Sequence, residues 1–199
     1  MEKEIRSTDG RAMQGPRFLL CDTTGNVGEP SSSDEAYAVS PIQCLNKAVD
    51  LNPELIVVRF DDMRIRERES LVELCAALKH NRHTRNRSVL ALLHSKHRKL
   101  IEDLNRAGVN FVKFIGQTYL DSNRMRKIID ALGPDDRVGR QLEIVCPFLH
   151  YSKIDSKHEM TVCGAYLDRL ALGGRRLQEL CGTVDHLHCE YYQKPRGKS

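Results

Sequence analysis

The stretch Asn52-Pro-Glu-Leu-Ile-Val-Val-Arg-Phe-Asp-Asp-Met63 decides how the rest of the chain is read. Leu55 to Val58 are four consecutive aliphatic residues, the pattern of a strand covered on both faces, as at the centre of a parallel sheet. Charge follows at once, in Arg59 and in the pair Asp61-Asp62. In open parallel α/β sheets the carboxyl ends of the strands house ligands and chemistry. The residues just past this strand are therefore the first candidates for a site.

On the N-terminal side, Pro16 to Asp22 reads as a first strand. Thr23 to Glu35, with Gly25, Gly28, Pro30 and three serines, reads as a loop, and Ala36 to Ser40 as a second short strand. Ser40 as N-cap and Pro41 in the first helical position open a helix with Ile42, Leu45, Ala48 and Val49 on one face. On the C-terminal side, Arg64 to His80 is an amphipathic helix that buries Leu71, Leu74, Cys75 and Leu78. Ser88 to Leu93 is another buried strand, and a helix carrying Leu100, Ile101, Leu104 and Ala107 stops at Gly108. Val109 to Ile115 is a fifth strand, and a last helix carries Met125, Ile128, Ile129 and Leu132 before Gly133-Pro134. Strands alternating with such helices give an α/β fold: a flavodoxin-like five-stranded parallel sheet, order 2-1-3-4-5, with a small cysteine-rich C-terminal module.

The chain of 199 residues, 40% hydrophobic, suffices for one core and a small second unit. The expected divisions are a disordered lead-in (1–15), the sheet domain (16–133), the cysteine-rich module (138–193) and a basic tail (194–199). A net charge of +4 dispersed among acids and bases argues against nucleic acid as a partner, and the arginines at 64–68 and 82–87 read as solvated faces. No apolar run reaches the length of a membrane span and the start lacks the core of a signal peptide, so a cytoplasmic protein with no membrane partner is expected.

From Arg17 to Leu132 this pattern resembles a response-regulator receiver domain in a degenerate, pseudo-receiver form. Pro53-Glu-Leu-Ile-Val-Val-Arg59 is similar to the family's Pro-Asp-Leu-Ile-Leu-Leu-Asp strand, and Ala107-Gly108 to the Ala-Gly before its fifth strand. The resemblance implies a phosphoryl-accepting aspartate, an acidic pair for Mg²⁺, a Ser/Thr and a lysine. Carried onto this sequence, the acceptor position is Arg59 and the hydroxyl position Leu93. The lysine position falls on Phe114 or Ile115, with Lys113 off the pattern, and of the first-strand acids only Asp22 remains. A guanidinium cannot accept a phosphoryl group, but Arg59 can pair with Asp22 or Asp61 and imitate a neutralised site. The degenerate pocket is thus Asp22, Arg59, Asp61, Asp62 and Leu93, and no Mg²⁺ is expected there. The resemblance further implies a protein partner or a homodimer formed through the helix 4, strand 5 and helix 5 face, near Lys96 to Leu132. The rival expectation is a phosphorylatable two-component response regulator, part of a phosphorelay, that uses Asp61 or Asp62.

Seven cysteines divide into two groups. Cys21, Cys44 and Cys75 lie among apolar residues and read as inert core thiols. Cys146, Cys163, Cys181 and Cys189 are spaced C-x16-C-x17-C-x7-C, without the close pairs usual in structural zinc sites. Iron–sulfur clusters take four thiolates, and a proline directly after a ligand, as in Cys146-Pro147, occurs among them. A metal would cross-link a segment too short to build its own core. The expectation is an iron–sulfur cluster or zinc on the four cysteines, with His186 and His188 as reserve ligands; two disulfides or four unlinked thiols are the alternatives. Gly25-Asn-Val-Gly28 is too short for a phosphate loop, Gly173-Gly-Arg-Arg176 reads as a turn, and no Ser-His-Asp or Cys-His arrangement is visible. The function expected is that of a non-catalytic signalling or regulatory protein acting by binding, with an iron–sulfur redox enzyme as a further alternative.

Overall fold

A computed structural model describes residues 15–25, 32–116 and 120–196. The expected lead-in, apart from Gly15, and the last three residues of the basic tail lie outside the described residues.

Five strands, β1 (Phe18–Cys21), β2 (Glu35–Ala38), β3 (Leu55–Phe60), β4 (Ser88–Leu93) and β5 (Phe111–Phe114), form one parallel sheet in the order β2-β1-β3-β4-β5. This is the flavodoxin-like α/β arrangement. All six residues of β3 are buried, as a central strand covered on both faces requires. Residues alternate between two cores. Leu19, Cys21, Ile56, Val58, Val89, Ala91 and Leu93 face one side, and Phe18, Leu20, Leu55, Val57, Leu90 and Leu92 the other.

The first side is packed by α1 (Pro41–Leu51), α2 (Ile65–His80) and α3 (Arg98–Arg106). Helix α1 starts as its sequence demands: the Gln43 amide donates to Ser40 Oγ at 3.2 Å, with Pro41 next in line. Helix α3 ends where Gly108 takes φ +79° and the Val109 amide returns to the Leu104 carbonyl at 3.0 Å. The second side is packed by α4 (Ser122–Asp130), through Met125, Ile128 and Ile129. No helix connects β1 to β2 among the described residues, and α4 reaches across to that edge of the sheet. Arg126 pairs with Glu35 at 2.8 Å, Ser122 donates to the same carboxylate at 2.8 Å, and Tyr37 donates to it at 3.0 Å. The Glu35 side chain is wholly buried, and three donors on it satisfy a charge that would otherwise be costly there.

The tail runs through α5 (Val138–Ile144), an antiparallel hairpin of β6 (Leu149–Lys153) and β7 (Glu159–Cys163), a short helix α6 (Gly174–Arg176) continued by a π turn over Leu177–Cys181, and a closing turn of helix α7 (Glu190–Gln193). It does not build a core of its own. Val138, Val145, Cys146, Leu149 and Cys181 belong to the same buried cluster as the first side of the sheet. The boundary expected near residue 138 is thus a change of composition and not a break in the core.

The tail also occupies much of the face expected to serve a partner. Helix α3 is covered by α5 and β6: Arg98 donates to the Leu142 carbonyl at 3.1 Å and to that of Val145, and the Tyr151 hydroxyl accepts from the Arg98 amide at 2.9 Å. Beyond β5, Lys113 pairs with Asp136 at 2.8 Å and the Val138 amide donates to the Asn110 carbonyl at 3.3 Å. Over α3 and β5 part of the expected contact surface is therefore occupied by this chain itself. Among the described residues no helix is long and apolar enough to cross a membrane.

Candidate functional site

The charged end of β3 meets the end of β1 because the two strands run in parallel register, Cys21 opposite Val58, which sets Asp22 beside Arg59. Two-residue alternation then returns Asp61 to the same side as Arg59. Arg59 is held from both directions: Nη1 donates to Asp22 Oδ2 at 2.7 Å and Nη2 to Asp61 Oδ2 at 2.6 Å. Asp22 is 2% and Arg59 6% exposed, so this pair lies in the low-dielectric interior, where charge-assisted hydrogen bonds are strong and an unpaired charge is severely penalised.

The remaining oxygens are also committed. Asp22 Oδ1 accepts from the Thr24 amide at 2.8 Å and the Thr24 hydroxyl at 2.6 Å, and Asp61 Oδ1 from the Asp62 amide at 2.9 Å. A carboxylate that binds Mg²⁺ must offer an oxygen to the ion. Here that would mean releasing Arg59 or a donor that turns the loop. Asp62 points outward and is exposed. Leu93 lies opposite Phe60 in the β3–β4 register and is fully buried. It closes the floor of a small cavity of about 120 Å³ rimmed by Asp61, Asp62, His94 and Lys157.

His94 begins the turn after β4, its amide bonded to the Phe60 carbonyl at 3.0 Å and its Nδ1 3.7 Å from Asp61 Oδ1. Lys96 faces away from the acids. It donates to the Gly182 carbonyl at 2.7 Å and lies over the Phe114 ring. The five residues of the expected pocket thus gather at one end of the sheet, while Lys96 and Lys113 turn to tail residues.

His94, Ser95, Lys96 and His97 form the seam with the tail. A second cavity of about 590 Å³ opens there, walled by this turn, Phe114, Tyr151 and Leu177. His97 Nδ1 accepts from the Leu100 amide at 3.1 Å and so caps α3, while Nε2 meets Glu159 at 3.1 Å and the ring stacks on Tyr151 with centroids 3.7 Å apart. Burial, assisted by the nearby Arg68 guanidinium, holds the His97 imidazole below its ordinary value. Burial likewise pushes the Tyr151 phenol up to about 12. Glu159 also pairs with Arg68 at 2.8 Å. Burial alone would raise that carboxyl, but Arg68 and His97 outweigh it and hold it below the usual range. Arg68, taken from sequence as part of a solvated face, is in fact a tether between α2 and β7.

The four tail cysteines come from four separate segments and converge. The Cys146 amide donates to the Cys181 carbonyl at 2.8 Å, and Leu149 of β6 lies opposite Cys163 of β7. Phe148, two residues after Cys146, meets Tyr192, three after Cys189, edge to face at 5.8 Å. Cys146, Cys163 and Cys181 are buried, Cys189 is half-buried, and no two are bonded to each other. Burial first, then the neighbouring thiols, pushes the Cys181 thiol up to about 11, and burial raises Cys146 in the same sense. His186 is buried with Nδ1 at 2.7 Å from the Thr183 carbonyl, whereas His188 is exposed. Among the described residues, no group of three or more His, Cys, Asp or Glu side chains is set to hold a single metal ion.

No family model matches the chain, and no curated protein matches it. Solved structures similar to it include a response regulator from Desulfuromonas acetoxidans, 21% identical, covering 59% of this chain and 99% of that one with a TM-score of 0.39. Another is the N-terminal domain of a response regulator receiver protein from Methanoculleus marisnigri, 18% identical, covering 59% of this chain and 95% of that one with a TM-score of 0.38. The class is defined by the sheet itself: a flavodoxin-like α/β domain carrying a cysteine-rich tail on one face.

Proposed function

We propose that this chain is a non-catalytic signalling or regulatory protein. Its receiver-like sheet is incompetent for phosphorylation and works through protein contacts, and its four-cysteine tail binds a metal or an iron–sulfur cluster. The observation that carries the first part is Arg59 at the end of β3, held at 2.7 Å by Asp22 and 2.6 Å by Asp61. A guanidinium between two carboxylates supplies from within the protein the neutralisation that metal and phosphoryl charge exchange in a working receiver. The site therefore has one state, fixed by the sequence. Asp61 is engaged in this clamp, and Asp62 lies outside it, exposed to solvent. Protein contacts then fall to surfaces the tail leaves open, above all the outer side of α4, the helix 5 part of the expected face.

Incubation with a small phosphodonor and Mg²⁺, followed by intact mass measurement, tests this reading. An unchanged mass is expected. One added phosphoryl group, mapped by peptide analysis to Asp61 or Asp62, would establish the opposite: a phosphorylatable regulator.

A further inference from the structure

We propose that the cavity at the seam between sheet and tail binds a small aromatic carboxylate, whose charge meets Lys96 and whose ring lies among Phe114, Tyr151 and Leu177. The site uses no residue of the Arg59 clamp and none of the tail cysteines, so it goes beyond the function proposed above and is tested apart from it.

The place follows from the fold. His94 begins the turn after β4 and Phe114 ends β5, so the cavity opens at the carboxyl ends of two neighbouring parallel strands. That is the side of an α/β sheet on which ligands are held. In the order β2-β1-β3-β4-β5 the crevice set by strand order lies between β1 and β3, and there the bond from Arg59 to Asp22 spans it. At β4 and β5 the tail supplies the far wall instead and leaves about 590 Å³, within the span of about 300–1,000 Å³ usual for small-molecule sites.

The chemistry of the walls selects the ligand. The apolar part is Leu149, Leu177, Phe114 and Tyr151, two aliphatic side chains and two rings, which suit a planar body through offset and edge contacts. The polar part holds one permanent cation, Lys96, and no carboxylate. Glu159, which meets His97 at 3.1 Å, lies outside these walls and is paired with Arg68 at 2.8 Å. One ammonium balances one negative charge. A carboxylate therefore fits, whereas a phosphate monoester carries close to two charges and is usually met by several cationic donors. Ser95, Thr161 and Gln178 also line the cavity, and their side chains make no hydrogen bond among the described residues, so they are open to the carboxylate oxygens.

The fold places Lys96 at this position. Its Nζ donates to the Gly182 carbonyl at 2.7 Å and lies 5.6 Å from the centre of the Phe114 ring. A β-carbon at Gly182 would stand 3.4 Å from Lys96 Cδ and 2.8 Å from the Leu177 carbonyl oxygen. Glycine thus lets the tail backbone close on the lysine stem. An ammonium has three N–H donors and the Gly182 carbonyl takes one, which leaves donors for a ligand.

The turn from His94 to His97 and Phe114 belong to the sheet, and Tyr151, Thr161 and Leu177 to the tail. A ligand between them would fasten one to the other, because binding only the docked arrangement stabilises it.

The full chain is titrated with naphthoate by calorimetry. Three controls vary one part at a time: naphthylmethylamine reverses the charge, naphthamide removes it, and acetate removes the ring. Naphthoate should bind saturably, one per chain, with Kd below about 1 mM, and each control at least about tenfold more weakly. Absence of saturable binding would overturn the proposal. Equal affinity for the amine or the amide would refute the role of Lys96, equal affinity for acetate the role of the rings, and tighter binding of naphthyl phosphate the choice of a carboxylate. Lys96→Met should weaken naphthoate at least about tenfold. Thr161→Phe, which fills the cavity and leaves Lys96 in place, should abolish binding, and Lys99→Met, exposed outside the cavity, should leave it unchanged. Circular dichroism of each variant separates loss of the site from loss of the fold. A folded Thr161→Phe protein that bound naphthoate as the wild type does would contradict the assignment. Saturating naphthoate should slow hydrogen exchange in β6, β7 and the turn from His94 to His97; slowing confined to other elements would place the ligand elsewhere and overturn it.

Discussion

The two ends of this molecule assemble charge in opposite ways. At the carboxyl end of β3, Arg59 stands between Asp22 and Asp61, and every group has a partner of opposite sign within 2.7 Å. In the tail, burial raises the thiols of Cys146 and Cys181, and the neighbouring thiols act in the same sense. At the first site both clamp carboxylates are engaged as the chain folds, while Arg59 Nε is buried without a hydrogen-bond partner. The second is where a metal or an iron–sulfur cluster is proposed. The charges at the end of β3 thus meet one another, while the tail brings together groups of one kind.

Breaking the self-satisfied end should have the largest effect. Arg59→Met leaves Asp22 buried without its cation and is expected to cost about 3–5 kcal/mol in denaturant unfolding. Adding Asp22→Asn to Arg59→Met should recover most of that loss, because removing both charges leaves no buried orphan. If Arg59→Met unfolded at the wild-type midpoint, the clamp would not hold in solution.

Stripping the metal or cluster proposed for the tail should loosen the tail alone. Hydrogen exchange on depleted protein is expected to quicken at least about tenfold, roughly 1.4 kcal/mol, in β6, β7 and the π turn, while β3 and β4 keep their protection. Equal losses in sheet and tail would mean that the two respond as one unit.

Acid should weaken the seam between the two regions more gently. His97 caps α3 through a deprotonated Nδ1, and its folded value lies below the unfolded one. The unfolded chain therefore takes up protons first. This contribution is whole above the ordinary histidine value of about 6.5 and is lost as pH falls through the folded one. Glu159, also lowered, acts in the same direction beginning below its ordinary value of about 4.3. The groups facing His97 are Glu159, which favours its protonation, and Arg68, which opposes it, with Tyr151 stacked and neutral. Unfolding midpoints at pH 7.5 and 5.5 should differ more for the wild type than for His97→Asn; an equal difference would remove His97 from the seam. The smallest effect is expected from Arg68→Ala, which removes a partly exposed tether to Glu159 and should cost about 1 kcal/mol or less.

The sheet was legible in the sequence because burial on both faces leaves unbroken aliphatic runs, and because Ser40-Pro41 and Gly108 mark helix ends by local chemistry. Even the Arg59 pairing could be anticipated, since parallel register sets Asp22 beside it; that both acids hold it at once could not. The contacts that give the molecule its particular shape are long-range pairs of charged residues. Arg68, paired with Glu159, read in sequence as solvated surface, and the reach of Arg126 to Glu35 and of Arg98 to the Val145 carbonyl left no sign there, because nothing local distinguishes an arginine that reaches water from one that reaches a distant element. For the same reason the tail's place over α3 and β5 was invisible. The four cysteines were recognisable by type and number, but their spacing hides their convergence, which the β6–β7 hairpin and the bond from Cys146 to Cys181 bring about.

One measurement reads both ends together: native mass spectrometry of the full chain, purified without oxygen and exposed to Mg²⁺ and a small phosphodonor. The expected result is a single species, the chain carrying a metal or an iron–sulfur cluster and no phosphoryl group. A phosphorylated chain would contradict the closed site at Arg59, and a metal-free chain the metal-binding role proposed for the four cysteines.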